Sequence, residues 1–153
     1  MVVVLGLFGG VREARLDRTQ AGEVAAAIEG GLGPGDVVAY CPDQLGPGVS
    51  RLLPDDVRQV PYPLRGDPDF VDWVDYEDRN AAADPRAFVD DLLREADERG
   101  GAIWYVWTPG YRTLGTACED MVELLGAARA RTTVVPRRTD VDEDAELIRY
   151  DGR

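Results

Sequence analysis

The chain has 153 residues, of which 44% are hydrophobic and 30% charged, a composition typical of one globular domain with its own hydrophobic core. It carries 17 basic residues, all of them arginine, against 29 acidic residues, so its formal net charge is −12. This charge excludes nucleic acid as a partner and disfavours anionic membrane surfaces, because both require clustered cations. The chain has no histidine, so Ser-His-Asp and Cys-His catalysis are excluded, and any catalysis would need carboxylates or a cofactor. We expect no metal site and no cofactor.

The first ten residues, Met1 to Gly10, form an uncharged apolar run, MVVVLGLFGG. The run is too short to cross a bilayer by itself, which takes about 20 apolar residues, and it lacks the features of a secretory signal. Three interpretations stay open: an N-terminal strand, the first strand of a nucleotide-binding unit, or the end of a membrane helix. Its glycines lack the GxGxxG spacing of dinucleotide-binding turns. We therefore treat residues 1–10 as an apolar lead-in and residues 11–153 as a single α/β domain.

Downstream, the spacing of hydrophobic residues alternates between that of helices and that of strands. Because strands that alternate with helices imply right-handed crossovers, we predict a three-layer, Rossmann-like α/β domain with a mainly parallel sheet. The strand over 102–107 is the most apolar and should be central, with the strand over 36–40 close by. The predicted elements, in chain order, are a helix over 17–31, a strand over 36–40, a helix over 41–53, a weak strand over 57–60, a loop over 61–84, a helix over 85–99, a strand over 102–107, a helix over 116–130, and strands over 132–135 and 146–150.

Acidic residues are concentrated in two segments. The loop over 61–84 combines three prolines with seven carboxylates and four aromatic residues, and it should lie on the surface as a long ordered loop or lid. Within it, Asp67 and Asp69 have the spacing of metal-binding DxD pairs. Every second residue over 140–144 is aspartate, as in a calcium loop, but Ala145 stands where that loop needs glycine. We interpret both segments as solvated acidic turns and not as metal sites.

Polar and aromatic residues follow the ends of three predicted strands. In a parallel sheet these ends meet at one edge, where ligands of open α/β sheets bind. Carboxylates and amides there could bond hydroxyl groups, aromatic rings could stack on a sugar, and arginines could hold a phosphate. Alternatively, the aromatic residues only cover the sheet and the arginines pair with carboxylates. The candidate ligand-binding residues are Asp43, Gln44, Tyr62, Arg65, Trp107, Tyr111 and Arg112.

The two cysteines lie near the same predicted edge. Cys41 directly follows the strand over 36–40, and Cys118 lies beyond the loop after the strand over 102–107. They can pair in a disulfide if those two strands are neighbours. In a reducing cytosol they would stay as buried free thiols, whereas in an oxidising compartment both the paired and the free state are open.

Three segments carry a resemblance to a known family: RTQAGEVAAAI from Arg18, GDVVAYCPDQLGPGVSRLLP from Gly35, and DWVDYEDRNAAADP from Asp72. They resemble the carboxy-terminal soluble region of actinobacterial GT-C type membrane glycosyltransferases, which are mannosyltransferase-like and use polyprenyl-phosphate sugars. The resemblance extends over most of the chain between Arg18 and Val135. The string CPDQLGP is its most distinctive part.

The resemblance implies a membrane-embedded region before this chain, so that residues 1–10 would be the end of its last membrane helix. The family's catalytic carboxylate lies in an early extracytoplasmic loop, so no residue here inherits a catalytic role and the isolated chain would transfer no sugar. The implied function is that of a non-catalytic extracytoplasmic accessory domain, which packs on the membrane region and contacts an acceptor or a lipid-linked sugar. The alternatives are a free-standing cytoplasmic Rossmann-like protein that binds a nucleotide or small ligand, and an interaction domain without a ligand.

Overall fold

A computed structural model describes residues 18–152 of the chain, and the lead-in over 1–10 lies outside the described residues. The helices are α1 (Ala21–Gly31), α2 (Gly46–Ser50), α3 (Tyr76–Ala82), α4 (Pro85–Arg99) and α5 (Ala117–Ala128), and the strands are β1 (Val37–Cys41), β2 (Arg58–Pro61), β3 (Ile103–Trp107), β4 (Arg131–Val135) and β5 (Glu146–Tyr150). Two 3-10 turns, Asp43–Leu45 and Arg112–Leu114, follow β1 and β3. Within the described range, no helix is both long and apolar enough to cross a membrane.

The strands form one five-stranded sheet in the order β2-β1-β3-β5-β4. β3 is central and β1 lies beside it, as predicted. β1 pairs in parallel with β2 and β3, whereas β5 pairs antiparallel with β3 and β4. The prediction of a three-layer, Rossmann-like domain with a mainly parallel sheet is therefore wrong, because over residues 18–152 the sheet is mixed and only two of its pairings are parallel.

The antiparallel strand follows from the connection between β4 and β5. Residues 136–145 contain no helix, and a parallel neighbour requires a crossover of a dozen or more residues, usually a helix. β5 therefore returns antiparallel to β4 and inserts between β4 and β3, with Ile103 opposite Tyr150 and Trp107 opposite Glu146. The alternation of helices and strands, from which a parallel sheet was predicted, stops at β4.

Apolar side chains cover both faces of the sheet. In β1, Val37 and Ala39 belong to a core cluster with residues of α4 and α5, whereas Val38 and Tyr40 belong to a second cluster with residues of α1 and α2. All the residues of β1 are buried. The uninterrupted apolar sequence of β1 is thus explained, because a strand covered on both faces has no side that must be polar.

The boundaries of α4 follow from its local sequence and confirm the predicted helix over 85–99. Asp84 caps the helix, since its Oδ1 accepts hydrogen bonds from the backbone N–H groups of Arg86 at 2.9 Å and Ala87 at 3.1 Å. Pro85 suits the first position of a helix because its missing N–H is not needed there. Gly100 ends the helix with φ of 70°, a left-handed conformation that favours glycine.

Helix α3 lies inside the segment that we predict to be a loop. Its only buried residues are Tyr76 and Asn80, which are four positions apart and so share one face of the helix. Two buried residues, one of them polar, are too few to produce a recognisable hydrophobic period. The helix is nevertheless what brings both side chains to the candidate site.

Candidate functional site

The carboxyl end of β1 is tied to neighbouring elements in two ways. The backbone N–H of Thr108 donates to the carbonyl oxygen of Cys41 at 3.1 Å. Cys41 is also joined by a disulfide to Cys118 of α5, with the two Cα atoms 5.5 Å apart. Both cysteines are buried. The edge of the sheet that the sequence indicates as a ligand site is therefore cross-linked to a helix of the adjoining core.

A hydrogen-bonded group with a buried centre lies directly beyond β1, and we term it the Asp43 network: Asp43, Gln44, Tyr76, Asn80 and Thr113. The Tyr76 hydroxyl donates to Asp43 Oδ1 at 2.7 Å and accepts from Gln44 Nε2 at 2.7 Å. Asn80 Nδ2 donates to Thr113 Oγ1 at 3.2 Å. Asp43, Tyr76 and Asn80 are buried. The network thus connects the turn after β1, the helix α3 and the turn after β3.

The local sequence explains how the chain positions one half of this network. Pro42 precedes the 3-10 turn Asp43–Leu45, and its carbonyl oxygen accepts from the N–H of Leu45 at 3.2 Å. This turn holds Asp43 and Gln44 immediately beyond the end of β1. The other half comes from far along the chain, since Tyr76 is separated from Asp43 by 33 positions.

The electrostatics of the network centre on Asp43. Burial raises the pKa of the Asp43 carboxyl above its usual value, and the hydrogen bond from Tyr76 and the charge of Arg79 oppose this rise only in part. Burial also raises the pKa of Tyr76, and the hydrogen bond to Asp43 raises it further. The pKa of Tyr111 is raised by burial first and by the Asp43 charge second. The phenol groups of Tyr76 and Tyr111 therefore stay protonated and can act as hydrogen-bond donors at neutral pH.

Buried polar atoms without a hydrogen-bond partner are concentrated at this edge. Among the described residues there are six such side-chain atoms, and four of them are Gln44 Oε1, Arg79 Nε, Asn80 Oδ1 and Trp107 Nε1. Buried polar groups in native proteins nearly always have a partner, so a local concentration of exceptions needs an explanation. Gln44 and Asn80 offer acceptors and Trp107 offers a donor, which are the groups that bind hydroxyls and amides.

An open depression of about 590 Å³ adjoins the network at Gln44, and we term it the Trp73 depression. Gln44, Pro47 and Arg51 line one part of it, and residues 69–74 line the rest. In that segment Phe70, Trp73 and Val74 are 68%, 61% and 69% exposed. Three large apolar side chains so close together on a surface are typical of a contact site for a ligand or partner.

Aspartates hold the segment that lines the depression in place. Asp67 Oδ1 accepts from the N–H of Asp69 at 2.9 Å, and Asp72 Oδ1 accepts from the N–H of Val74 at 3.0 Å. Arg79 of α3 donates from Nη1 to Asp72 Oδ2 at 2.7 Å. The acidic pair Asp67 and Asp69, whose spacing suggested a metal motif, thus has a role in shaping the backbone.

Two candidate residues from the sequence lie apart from the Asp43 network. Tyr62 is 1% exposed and packs edge-on against Phe88, with ring centroids 5.0 Å apart, so it belongs to the core. Arg65 is ion-paired with Glu95 and lies over the ring of Phe88. Glu95 also pairs with Arg58, so its one carboxylate is shared between two guanidinium groups outside the Asp43 network.

Three further candidates stay near the carboxyl edge of β1 and β3. Trp107 is half-buried, and its ring stacks on that of Tyr105 with centroids 6.5 Å apart. Tyr111 is half-buried and responds to the charge of Asp43. Arg112 is exposed. Trp107 and Tyr111 therefore border the site, whereas Arg112 lies in solvent.

Sequence reasoning missed Tyr76 and Asn80 of the network and Phe70 and Trp73 of the depression. All four lie in the segment predicted to be a loop. Two features of the sequence pointed to this segment. Tyr76 and Asn80 have the spacing of residues on one face of a helix, and the string DWVDYEDRN is one of those that resemble the glycosyltransferase family. Neither feature indicates by itself that the segment folds back onto the turn after β1.

Replacing Tyr76 by phenylalanine should lower the free energy of unfolding by about 2 kcal/mol, because the buried Asp43 carboxylate and Gln44 amide would both lose a partner. Urea denaturation followed by circular dichroism measures this loss. Tyr111→Phe is the matched control, since Tyr111 is half-buried and outside the network, and its effect should stay within about 0.5 kcal/mol. Equal losses in the two variants would contradict the network.

Asp43 should make the stability of the protein depend on pH. Because the pKa of folded Asp43 lies above the ordinary value of 3.8, the protonated form favours the folded state. The contribution of Asp43 to the free energy of unfolding is fully present below about pH 4 and is lost as the pH rises through the pKa of Asp43 in the folded protein. Asp43→Asn keeps an oxygen that can accept from Tyr76 but cannot ionise. We expect the variant to equal the wild type at about pH 3 and to gain stability relative to the wild type towards neutral pH; a constant difference would contradict this.

The donors and acceptors of the site suit neutral polar groups. They are a buried carboxylate, two amides and aromatic side chains with polar atoms. Within residues 18–152, no group of three or more His, Cys, Asp or Glu side chains is arranged to hold a metal ion.

No family model, curated protein or solved structure matches the chain.

Proposed function

We propose that the chain is a non-catalytic, extracytoplasmic accessory domain of a membrane glycosyltransferase, and that the surface around the Asp43 network contacts the acceptor or the lipid-linked sugar. The observation that carries the proposal is the buried disulfide between Cys41 and Cys118. Structural disulfides persist in oxidising compartments and are rare in the cytosol. The bond therefore supports a location outside the cytoplasm.

The resemblance to membrane glycosyltransferases supplies the enzyme class. Two of its strings, CPDQLGP and DWVDYEDRN, are far apart in the sequence, yet Asp43 and Gln44 of the first are hydrogen-bonded to Tyr76 of the second. This convergence supports a shared site as the reason for both strings. Since the chain has no histidine and the catalytic carboxylate of that family is expected elsewhere, the role proposed for the site is contact and not chemistry.

A second candidate function is a free-standing protein that binds a small polar ligand at the same edge. The observation that favours it is the set of unpartnered buried atoms on Gln44, Asn80 and Trp107, which suits a ligand whether or not a membrane partner exists. The two candidates differ in the size and location of the protein that contains this chain.

Antibodies raised against the chain distinguish the two candidates in fractionated cells of the source organism. We expect the antibodies to detect, in the membrane fraction, a polypeptide much larger than the 16.7 kDa of this chain. Protease added outside intact spheroplasts should cleave the antibody-reactive part. A cytosolic species of 16.7 kDa that resists the protease would contradict the proposal and favour the second candidate.

The state of the cysteines gives an independent control. Cells lysed in acid and treated with a maleimide-polyethylene glycol should show no added mass on the antibody-reactive fragment. The same sample treated after reduction should gain an adduct at each of Cys41 and Cys118. Labelling without reduction would mean free thiols in the cell and would remove the main support for an oxidising compartment.

A further inference from the structure

We propose that the Trp73 depression binds an uncharged sugar ring, with the apolar face of the ring on Trp73 or Phe70 and its hydroxyl groups on Gln44 and Asp72. The inference rests on the proposed function, because it names the class of ligand that this surface contacts.

The aromatic face is exposed and held in position. Phe70 and Trp73 are 68% and 61% exposed, although large aromatic side chains are usually buried for most of their area. The Trp73 ring contacts that of Tyr76, with centroids 5.1 Å apart, and Tyr76 is fixed by its hydrogen bonds to Asp43 and Gln44. The C–H groups of a pyranose form an apolar face that packs against such rings.

The polar rim offers hydrogen-bond acceptors. The amide nitrogen of Gln44 donates to the Tyr76 hydroxyl, while its Oε1 is buried and has no partner among the described residues. The side chain of Asp72 is 45% exposed, and after accepting from Val74 and Arg79 its oxygens keep free lone pairs. Sugar hydroxyl groups donate to acceptors of this kind. Asn80, which is 7% exposed and has an unbonded Oδ1, lies behind this rim in the same network.

The charge of the depression disfavours an anionic ligand. Asp69 and Asp72 line it, and Arg51 is its one cationic lining residue within the described part of the chain. The guanidinium of Arg79, which lies nearby, is already paired with Asp72. A phosphate or carboxylate needs cations that are free to pair with it, so an anionic ligand is disfavoured. The volume of about 590 Å³ lies within the range of small-molecule sites.

Titration of the ¹⁵N-labelled chain with methyl glycosides of mannose, glucose and galactose, followed by NMR, tests the inference. At least one glycoside should bind with a Kd on the order of 1 to 10 mM, the range for a ligand of this size. The shifted signals should be the side-chain amide of Gln44 and the backbone amides of residues 69–74. Trp73→Ala should weaken binding about tenfold. Val134→Ala, which alters an exposed apolar residue on the far edge strand β4, should not change it.

Charged analogues test the ligand class. Methyl glucuronide, the anionic counterpart of the glucoside, should bind more weakly than the glucoside because Asp69 and Asp72 repel it. Tetramethylammonium, a cation that aromatic and acidic sites also bind, should bind more weakly than the glycosides, because it cannot donate hydrogen bonds to Gln44 and Asp72. Tighter binding of either ion, no binding of any glycoside, or unchanged affinity in Trp73→Ala would overturn the inference. A dimer in sedimentation that Trp73→Ala abolishes would assign the depression to a second copy and would also overturn it.

The experiment separates this inference from the proposed function. If the chain binds a glycoside but the cells contain it as a cytosolic protein of 16.7 kDa, the accessory-domain proposal fails and the sugar site stands. If the cells contain it in a large membrane protein but no glycoside binds, the sugar site fails and the proposed location stands.

Discussion

Replacing Cys41 and Cys118 together by alanine should lower the free energy of unfolding by about 4 kcal/mol. The disulfide closes a loop between residues 77 positions apart, so its loss gives the unfolded chain much more conformational freedom. The loop also contains the Asp43 network residues Gln44 and Tyr76 and the helix α4, so the same bond restrains the edge of the sheet. Guanidinium denaturation followed by circular dichroism measures the change.

Reduction of the wild type is the matched control for the double variant. With a phosphine reductant, the wild type should unfold at a denaturant concentration close to that of the variant, while the variant itself should be unaffected. A double variant within about 1 kcal/mol of the oxidised wild type would show that the cross-link contributes little to this fold.

Replacing Asp36 by alanine should lower the free energy of unfolding by about 3 kcal/mol, because several donors lose their acceptor in a buried place. Asp36 is 7% exposed and lies just before β1, at the edge opposite the candidate site. Its carboxylate accepts from Gly33 N at 2.9 Å, from Ala102 N at 2.7 Å and from Trp104 Nε1 at 2.8 Å. It therefore joins the turns that precede β1 and β3. Urea denaturation measures the loss.

Asp56→Ala provides the comparison for the Asp36 variant. Asp56 is an exposed aspartate in the turn before β2, so its removal should change the free energy of unfolding by no more than about 0.5 kcal/mol. Near-ultraviolet circular dichroism should also change in Asp36→Ala, because Trp104 loses its indole hydrogen bond. A loss below about 1 kcal/mol in Asp36→Ala would contradict the structural role of this carboxylate.

The helices and strands could largely be predicted from local sequence. The ends of α4 follow from Asp84, Pro85 and Gly100, whose side chains or backbone preferences act within one helical turn. The apolar run of β3 predicts a central strand, and β3 is the middle strand of the sheet. Helix α3 was missed because two buried residues, Tyr76 and Asn80, do not make a hydrophobic period.

The candidate site could be predicted only in part. Asp43 and Gln44 were expected because they directly follow a buried strand, and that position depends on nearby residues alone. Their partner Tyr76 was not expected, since the contact joins segments 33 positions apart. Arg65 was expected beside Asp43 and Gln44, but it pairs with Glu95 of α4, apart from the Asp43 network. A sequence shows that an arginine is present but not which carboxylate will reach it.

The sequence by itself determined the acidic character of the surface, the alternation of helices and strands, and the position of β3 in the middle of the sheet. These follow from composition and from periodicity, which record whether each residue meets water or the core. The tertiary structure alone decided that β5 inserts antiparallel between β3 and β4, that Cys41 meets Cys118, and that Tyr76 joins Asp43 to Gln44. The physical reason is that periodicity specifies which face of an element is buried, whereas the partner at that face depends on how distant segments pack together.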